Sequence, residues 1–254
     1  MKWIRDRALS GELLSGTFLN LGSSVTAEMA GKAGFDWLLF DLEHGVGDRH
    51  ELLLQLQATT GSPSVPIVRI GWNDHVTVKR ILDLGASGIM TPYVNTADEA
   101  RRAAAAMCYP PDGIRGVASS NRACGFGQDF EAYFGEANQN LLTVLQIETL
   151  TAVENADEIA AVEGADVLFV GPLDLSVSLG ITRQFDHPDF RQAIKKVIAA
   201  CKNHGKAAGI LTHVPEMLGR FIEDGFTFVG CGSDGTAVAA GMKAFAQNFE
   251  PFRK

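Results

Sequence analysis

A handful of residues in this chain are of the types, and fall in the places, that carry chemistry. Asp41, Glu43 and His44 share the segment DLEHG, Arg69 ends VPIVR, Gln146 and Glu148 close LTVLQIE, and Asp174 lies in GPLDLS. Glu148 and Asp174, at the ends of neighbouring strands, offer the oxygen donors a hard divalent cation takes, with magnesium or manganese the natural choices and positions left for water and substrate. His44 follows a very apolar run and sits among acids able to orient its imidazole, which suits a general base. An arginine that ends an apolar strand is costly without a partner, so Arg69 either pairs with a barrel carboxylate or awaits an anionic ligand. Each residue alone has an ordinary explanation. A carboxylate at a strand end is as readily a helix cap or an ion-pair partner, and a lone loop histidine is more often structural than catalytic.

Other chemistries lack their residues. None of the nine lysines closes an expected strand, whereas imine chemistry needs a desolvated lysine at the reacting end. No GxGxxG or Walker segment follows a strand, so nucleotide and dinucleotide binding have no signature. FVGCGSDG (228–235) has the composition of a phosphate cradle, but no lysine or arginine follows it before Lys243, and a strand-to-helix turn is the better reading. His50, His75, His187, His204 and His213 lack the setting of His44, and Asp186–His187–Pro188 reads as a helix start.

Such residues need a frame that brings them together. Apolar runs of strand type recur at Leu14–Leu19, Trp37–Asp41, Pro66–Ile70, Gly88–Met90, Leu142–Ile147, Val167–Val170, Ala207–Leu211 and Phe226–Val229. Continuous runs of this kind mark strands buried on both faces, as parallel sheets require. Helical stretches separate them. Thr96/Glu99 and Thr151/Glu154 read as capping boxes, Asn73–Asp74 and Ser233–Asp234 as N-caps, and Gly34, Gly85 and Gly205 as helix stops. Eight strands in strict strand-then-helix order point to α/β architecture of the closed (β/α)8 TIM-barrel type, with an open doubly wound sheet as the alternative. The barrel is expected to be one domain over residues 1–254. Reactive groups then belong at the C-terminal strand ends, where those named above fall. One long irregular segment, YPPDGIRGVASSNRACGFG (109–127), is expected to be functional or at an interface.

Composition limits the rest. The chain has 254 residues, 46% of them hydrophobic, and a net charge of −8. That size and composition support a large core and exclude disorder, and an acidic chain with no Lys/Arg run is a poor partner for nucleic acid. The longest charge-free stretch, Leu52–Val68, holds two prolines and two glutamines, so no membrane span is expected. Arg5, Asp6, Arg7 and Glu12 interrupt the place of an export signal, and the four cysteines form no CxxC pair. A cytoplasmic protein with reduced thiols is the expectation.

Six segments, GFDWLLFDLEHG, VPIVRIGWND, ILDLGASGIMTPYVNTADEA, YPPDGIRGVA, VLQIET and VLFVGPLDLSVSLG, resemble in their order the metal-dependent class II pyruvate aldolases of the HpcH/HpaI family. The likeness runs from about Gly34 to the GSDG segment. It implies a (β/α)8 barrel that cleaves 4-hydroxy-2-oxo acids to pyruvate and an aldehyde with Mg2+, Mn2+ or Co2+ and no organic cofactor. By motif, it implies His44 as catalytic base, Arg69 as the arginine holding the pyruvyl oxygens, Gln146 as a substrate contact, and Glu148 and Asp174 as metal ligands. Asp83 in ILDLGA matches an aspartate that raises the basicity of the histidine. The local pattern puts Asp83 at a helix end before the fourth strand, so that contact requires a different local assignment, packing, or a neighbouring subunit. Leu173 stands where many relatives carry a small residue, which leaves a backbone contact intact and narrows the pocket.

Two rivals stand beside this reading: a citrate-lyase-type enzyme acting on an acyl-CoA thioester, and a barrel kept as a binding or assembly module. The joint presence of His44, Arg69, Glu148 and Asp174 weighs against the second. The C-terminal segment, about 234–250, spreads Val238, Met242, Phe245 and Phe249 around the helical wheel, where an outer barrel helix needs one apolar face. A homo-oligomer with this helix at the subunit interface is therefore expected, and the resemblance implies a hexamer.

Overall fold

The structure, a computed structural model, describes residues 3–253. Eight parallel strands close into a barrel in sequence order: β1 (Leu14–Leu19), β2 (Trp37–Asp41), β3 (Val65–Arg69), β4 (Gly88–Thr91), β5 (Leu142–Ile147), β6 (Val167–Val170), β7 (Ala207–Thr212) and β8 (Phe228–Ser233). β8 pairs with β1 to complete the ring, and the open-sheet alternative falls away. Every residue of β2, β4, β5 and β6 is buried, as the continuous apolar runs require when side chains face either the barrel interior or the helical shell.

Aromatic rings fill the interior. Trp37 stacks on Phe228 with centroids 4.4 Å apart, and Phe169 meets both edge-on. Room for the indole comes from Gly16 on the neighbouring strand, where an added Cβ would lie 2.1 Å from the Trp37 ring. Burial of such a ring contributes roughly 1.5–3 kcal/mol, more than most single contacts. Ile4 and Ala8 of the N-terminal segment close the bottom of this core, and Arg5 reaches Asp166 there at 2.9 Å.

Helix boundaries follow the expected caps with one correction. Thr96 and Glu99 form their capping box, Asp74 and Ser233 are N-caps, and His187 precedes Pro188 at a helix start. Thr151, however, lies inside the helix Leu150–Glu154, whose N-cap is Thr149, accepting from the Ala152 amide at 3.0 Å. Thr149 is two residues closer to the strand end, where the first free amides need a partner. The last strand also begins two residues later than its apolar pattern suggests and runs on through Gly230-Cys231-Gly232 to Ser233. Those glycines read as a loop in sequence, but pairing to β1, across a bulge between Gly16 and Phe18, extends the ladder through them. The 109–127 segment packs against the lower half of the barrel, burying Tyr109, Arg115 and Cys124. The final helix, Asp234–Gln247, buries little: Met242 and Phe245 are about two-thirds exposed, at 66% and 68%.

Candidate active site

Strand register sets the first contact at the mouth. Asp41 closes β2 and Arg69 closes β3, and the two are ladder partners. The guanidinium grips the carboxylate through both oxygens, Nε to Oδ1 at 2.9 Å and Nη2 to Oδ2 at 2.6 Å. Asp41 Oδ1 also accepts the backbone N–H groups of Glu43 at 3.0 Å and His44 at 3.3 Å, folding DLEH into a turn directly off the strand. Only glycine fits next, because a Cβ on Gly45 would lie 2.0 Å from the Asp41 carbonyl oxygen. This turn leaves the His44 ring largely exposed, with Nε2 3.9 Å from Glu43 Oε2. Glu43 Oε2 stands 3.1 Å from Arg69 Nη1. Burial pushes the Glu43 carboxyl up, while for Asp41 the Arg69 hydrogen bonds overcome burial and hold it below its usual range.

Across the mouth, β5 delivers Gln146 and then Glu148, both almost fully buried. Glu148 Oε1 accepts the amide of Tyr93 at 2.8 Å. Tyr93 holds φ +58, a left-handed conformation unusual for a tyrosine. Burial, followed by the charge of Asp174, pushes the Glu148 carboxyl up to about 7. Asp174 stands in the first turn of the helix Pro172–Ser178, immediately after β6. Gly171 joins the two elements, and a Cβ there would meet Glu148 Oε2 at 2.8 Å and Gln146 Nε2 at 3.0 Å. The buried amide oxygen of Gln146 has no partner.

Repelling carboxylates packed against a glycine, with an orphaned amide oxygen alongside, fit a small hard cation. No group of three or more His, Cys, Asp or Glu side chains gathers to hold a metal among the described residues, so such an ion would rest on Glu148 and Asp174 and complete its shell with water or substrate.

His44, Arg69, Gln146, Leu173 and Asp174 share one cavity of about 480 Å³. Phe18 and Phe169 are among its lining residues, and Leu173 is half-exposed there. Asp83 is elsewhere. It ends the helix His75–Asp83, which returns the chain to the opposite end of the barrel, and one of its oxygens accepts from Arg115 at 2.8 Å. Nothing brings it to His44 of the same chain. The turn after β8 is no phosphate cradle: Asp234 fills it with its own carboxylate, accepting from the amides of Asn20 and Gly235 at 2.8 Å each.

Asp41, named in DLEHG, is the barrel carboxylate that Arg69 pairs with, and it anchors the His44 turn as well. Other contributors carry no sequence signal. Tyr93 contributes a backbone amide that no side-chain pattern reveals. His213 and Arg183, which no sequence pattern singles out, line the cavity on loops after β7 and β6.

Fold and site together define a (β/α)8 barrel enzyme with its acid groups gathered at the C-terminal strand ends. The family model for HpcH/HpaI aldolase/citrate lyase matches residues 14–240. A curated relative named 5-keto-4-deoxy-D-glucarate aldolase, from Salmonella paratyphi C, is 45% identical over 92% of this chain and 91% of its own length. Among solved structures, an HpcH/HpaI aldolase/citrate lyase family protein from Burkholderia cenocepacia superposes with a TM-score of 0.92 at 35% identity, covering 96% of this chain and 98% of that one. An HpcH/HpaI aldolase from Desulfitobacterium hafniense gives 0.89 at 30% identity, covering 98% of both. The chain belongs to the HpcH/HpaI aldolase/citrate lyase family.

Proposed function

We propose that this protein, a class II pyruvate aldolase, uses the cavity at the barrel mouth to cleave 4-hydroxy-2-oxo acids reversibly into pyruvate and an aldehyde. One observation carries the site assignment: Arg69, His44 and Asp174 face a single cavity whose wall includes the Gly171 contact to the raised carboxyl of Glu148. Breaking a carbon–carbon bond beside a ketone leaves negative charge on the pyruvyl fragment. A divalent cation on Glu148 and Asp174, magnesium or manganese by donor type, supplies Lewis-acid stabilisation of that charge when bound. Arg69, fixed by two bonds to Asp41, aims a permanent positive charge at the same oxygens without reorganising. Gln146 offers its unpartnered amide oxygen to the substrate. His44, exposed at the cavity, takes the proton of the 4-hydroxyl during cleavage and returns it during addition. Leu173 bounds the pyruvyl pocket.

The curated relatives' substrate, numbered from its keto end, is a 4-hydroxy-2-oxo acid with a second carboxylate at the far end, and we take such a sugar acid as the leading substrate here. Asp83 cannot serve His44 within one chain, so its part is assigned to a neighbouring copy: one carboxylate oxygen binds Arg115 and the side chain keeps 21% of its surface free. The apolar final helix, with Phe245 and Phe249 open to solvent, supports a homo-oligomer, a hexamer by family resemblance. Among the described residues no helix is long and apolar enough to cross a membrane. The whole chain is taken as one unit working in the cytoplasm, with small molecules rather than nucleic acid as its partners.

Assaying pyruvate release from free 4-hydroxy-2-oxo acids, in parallel with product formation from hydroxyacyl-CoA thioesters, tests the reading. Turnover of the free acids is expected. Turnover of the thioesters alone would instead make this a lyase of the citrate-lyase type.

A further inference from the structure

The cavity has a second cationic group that the chemistry above does not use. Arg183 lines its rim on the loop between the helix Pro172–Ser178 and the helix that starts at Pro188. Its backbone is at φ +61, a left-handed position for a residue with a long side chain. That conformation is held in place: the Arg183 amide donates to Ser176 Oγ at 3.0 Å, and the same buried hydroxyl donates to the Leu173 carbonyl at 2.7 Å. Arg183 is thus tied through one side chain to the turn that carries Asp174. Arg183 enters no ion pair among the described residues. Its acidic neighbour Asp186 is taken by Arg220. The cavity's other guanidinium, Arg69, is committed to Asp41 and Glu43.

The charge balance at the mouth says what such a group would do. Asp174 lines the cavity and is felt by the carboxylates of Glu43 and Glu148, which makes the pyruvyl end acidic, while Phe185, Val214 and Met217 make the outer wall apolar. A substrate with a second carboxylate would place that charge among these groups, where an unpaired anion is costly. An arginine fixed at the rim offsets that cost with a planar two-pronged donor matched to a carboxylate.

We propose that Arg183 receives the second carboxylate of the substrate, the one carried on the aldehyde half, and so selects dicarboxylic 4-hydroxy-2-oxo acids over those with neutral tails. This rests on the aldolase reading above. The test is aldol addition of pyruvate to 2-hydroxy-3-oxopropanoate, the aldehyde half of the leading substrate above, and to its neutral methyl ester, with the metal-loaded full-length enzyme. Wild type should favour the acid. Arg183→Gln should lower the acid-to-ester ratio of kcat/KM by about 10–100-fold, mostly through KM, which is the loss expected for a hydrogen bond to a charged group. Arg183→Gly, which suits the left-handed backbone better than arginine, should lower the ratio equally, and Arg183→Lys should keep part of it. A ratio within about twofold of wild type in both the Gln and Gly variants would overturn the assignment. So would a parallel loss on both aldehydes, which marks a structural role. If wild type forms no adduct with either aldehyde, the aldolase reading itself fails, an outcome separate from a lost preference.

Discussion

Two buried carboxylates, Asp166 at the bottom of the barrel and Glu148 at its mouth, are treated in opposite ways. At the bottom, Asp166 receives Arg5 Nε and the Thr143 amide, both at 2.9 Å. Asp36 there is met by Arg7 and by the amide and hydroxyl of Ser15, and Asp83 by Arg115. At the mouth, Glu148 has one backbone donor. Burial lifts the carboxyls of both Asp166 and Glu148, but the strongest neighbouring charge differs: Arg5 pulls the first back down, and Asp174 pushes the second further up. Charges paired within the chain hold the structure together. Charges left short of partners and pressed against each other keep a place for something the chain does not contain.

The sharpest way to break this contrast is to neutralise one acid at each end. Glu148→Gln or Asp174→Asn should reduce aldol cleavage by about 10³-fold or more while the melting temperature holds or rises, because each removes a repulsion along with a metal ligand. Asp166→Asn should do the reverse, costing about 1–3 kcal/mol of stability by stranding Arg5, with turnover at the wild-type level. Denaturant curves and steady-state kinetics on the same preparations decide it. Loss of folding in Glu148→Gln would show that the mouth acid is structural after all.

Within the mouth, His44 and Arg69 should separate. His44→Ala is expected to lower kcat by about 10²–10⁴-fold with little change in pyruvate binding, since the ring is exposed and handles a proton. Arg69→Ala should damage kcat and KM together and also destabilise the fold by about 3–5 kcal/mol, because it leaves Asp41 buried and unpaired. Wild-type cleavage by His44→Ala would assign the base elsewhere.

This division also explains what the sequence could and could not disclose. Residues proposed to act directly, such as His44, Arg69, Glu148 and Asp174, stand out by type and by falling at the ends of apolar runs. Their supports do not. Tyr93 contributes a backbone amide, and although Asp41 is visible in DLEHG, its pairing with Arg69 follows from the register of β2 on β3. Arg183 and His213 reach the cavity from loops whose course depends on tertiary packing. The strands were legible because burial on both faces writes unbroken apolar runs. The exception is β8, whose glycines disguise four strand residues, Gly230–Ser233, as a turn.

Acidity offers a further handle on the same contrast. The Glu148 carboxyl titrates at about 7 in the fold, above its ordinary value of 4.5. Between those values the folded state holds a proton the unfolded chain has lost. Chelated protein should therefore be most stable below about pH 4.5 with respect to this group and lose up to about 3 kcal/mol as pH rises to about 7. Glu148→Gln should flatten that fall, and added magnesium should oppose it in wild type. Thermal melts from about pH 5 to about pH 8 show whether the two proteins diverge; parallel curves would mean the mouth carboxylates are already satisfied within the chain.

A smaller effect is expected at Gly171. Alanine there sets a methyl 2.8 Å from Glu148 Oε2, so the carboxylate must turn. Metal affinity should weaken by about 10–100-fold, while saturating metal recovers most of the turnover. Titrating activity against magnesium reads both at once.

The central claim is that the unsatisfied carboxylates at the mouth exist to hold a cation that the aldol reaction needs. Its most direct test is continuous measurement of pyruvate released from a dicarboxylic 4-hydroxy-2-oxo acid by exhaustively chelated enzyme, followed by addition of magnesium or manganese. The account predicts no release above background after chelation and saturable recovery as metal is returned. Full-rate pyruvate release from the chelated enzyme would contradict it.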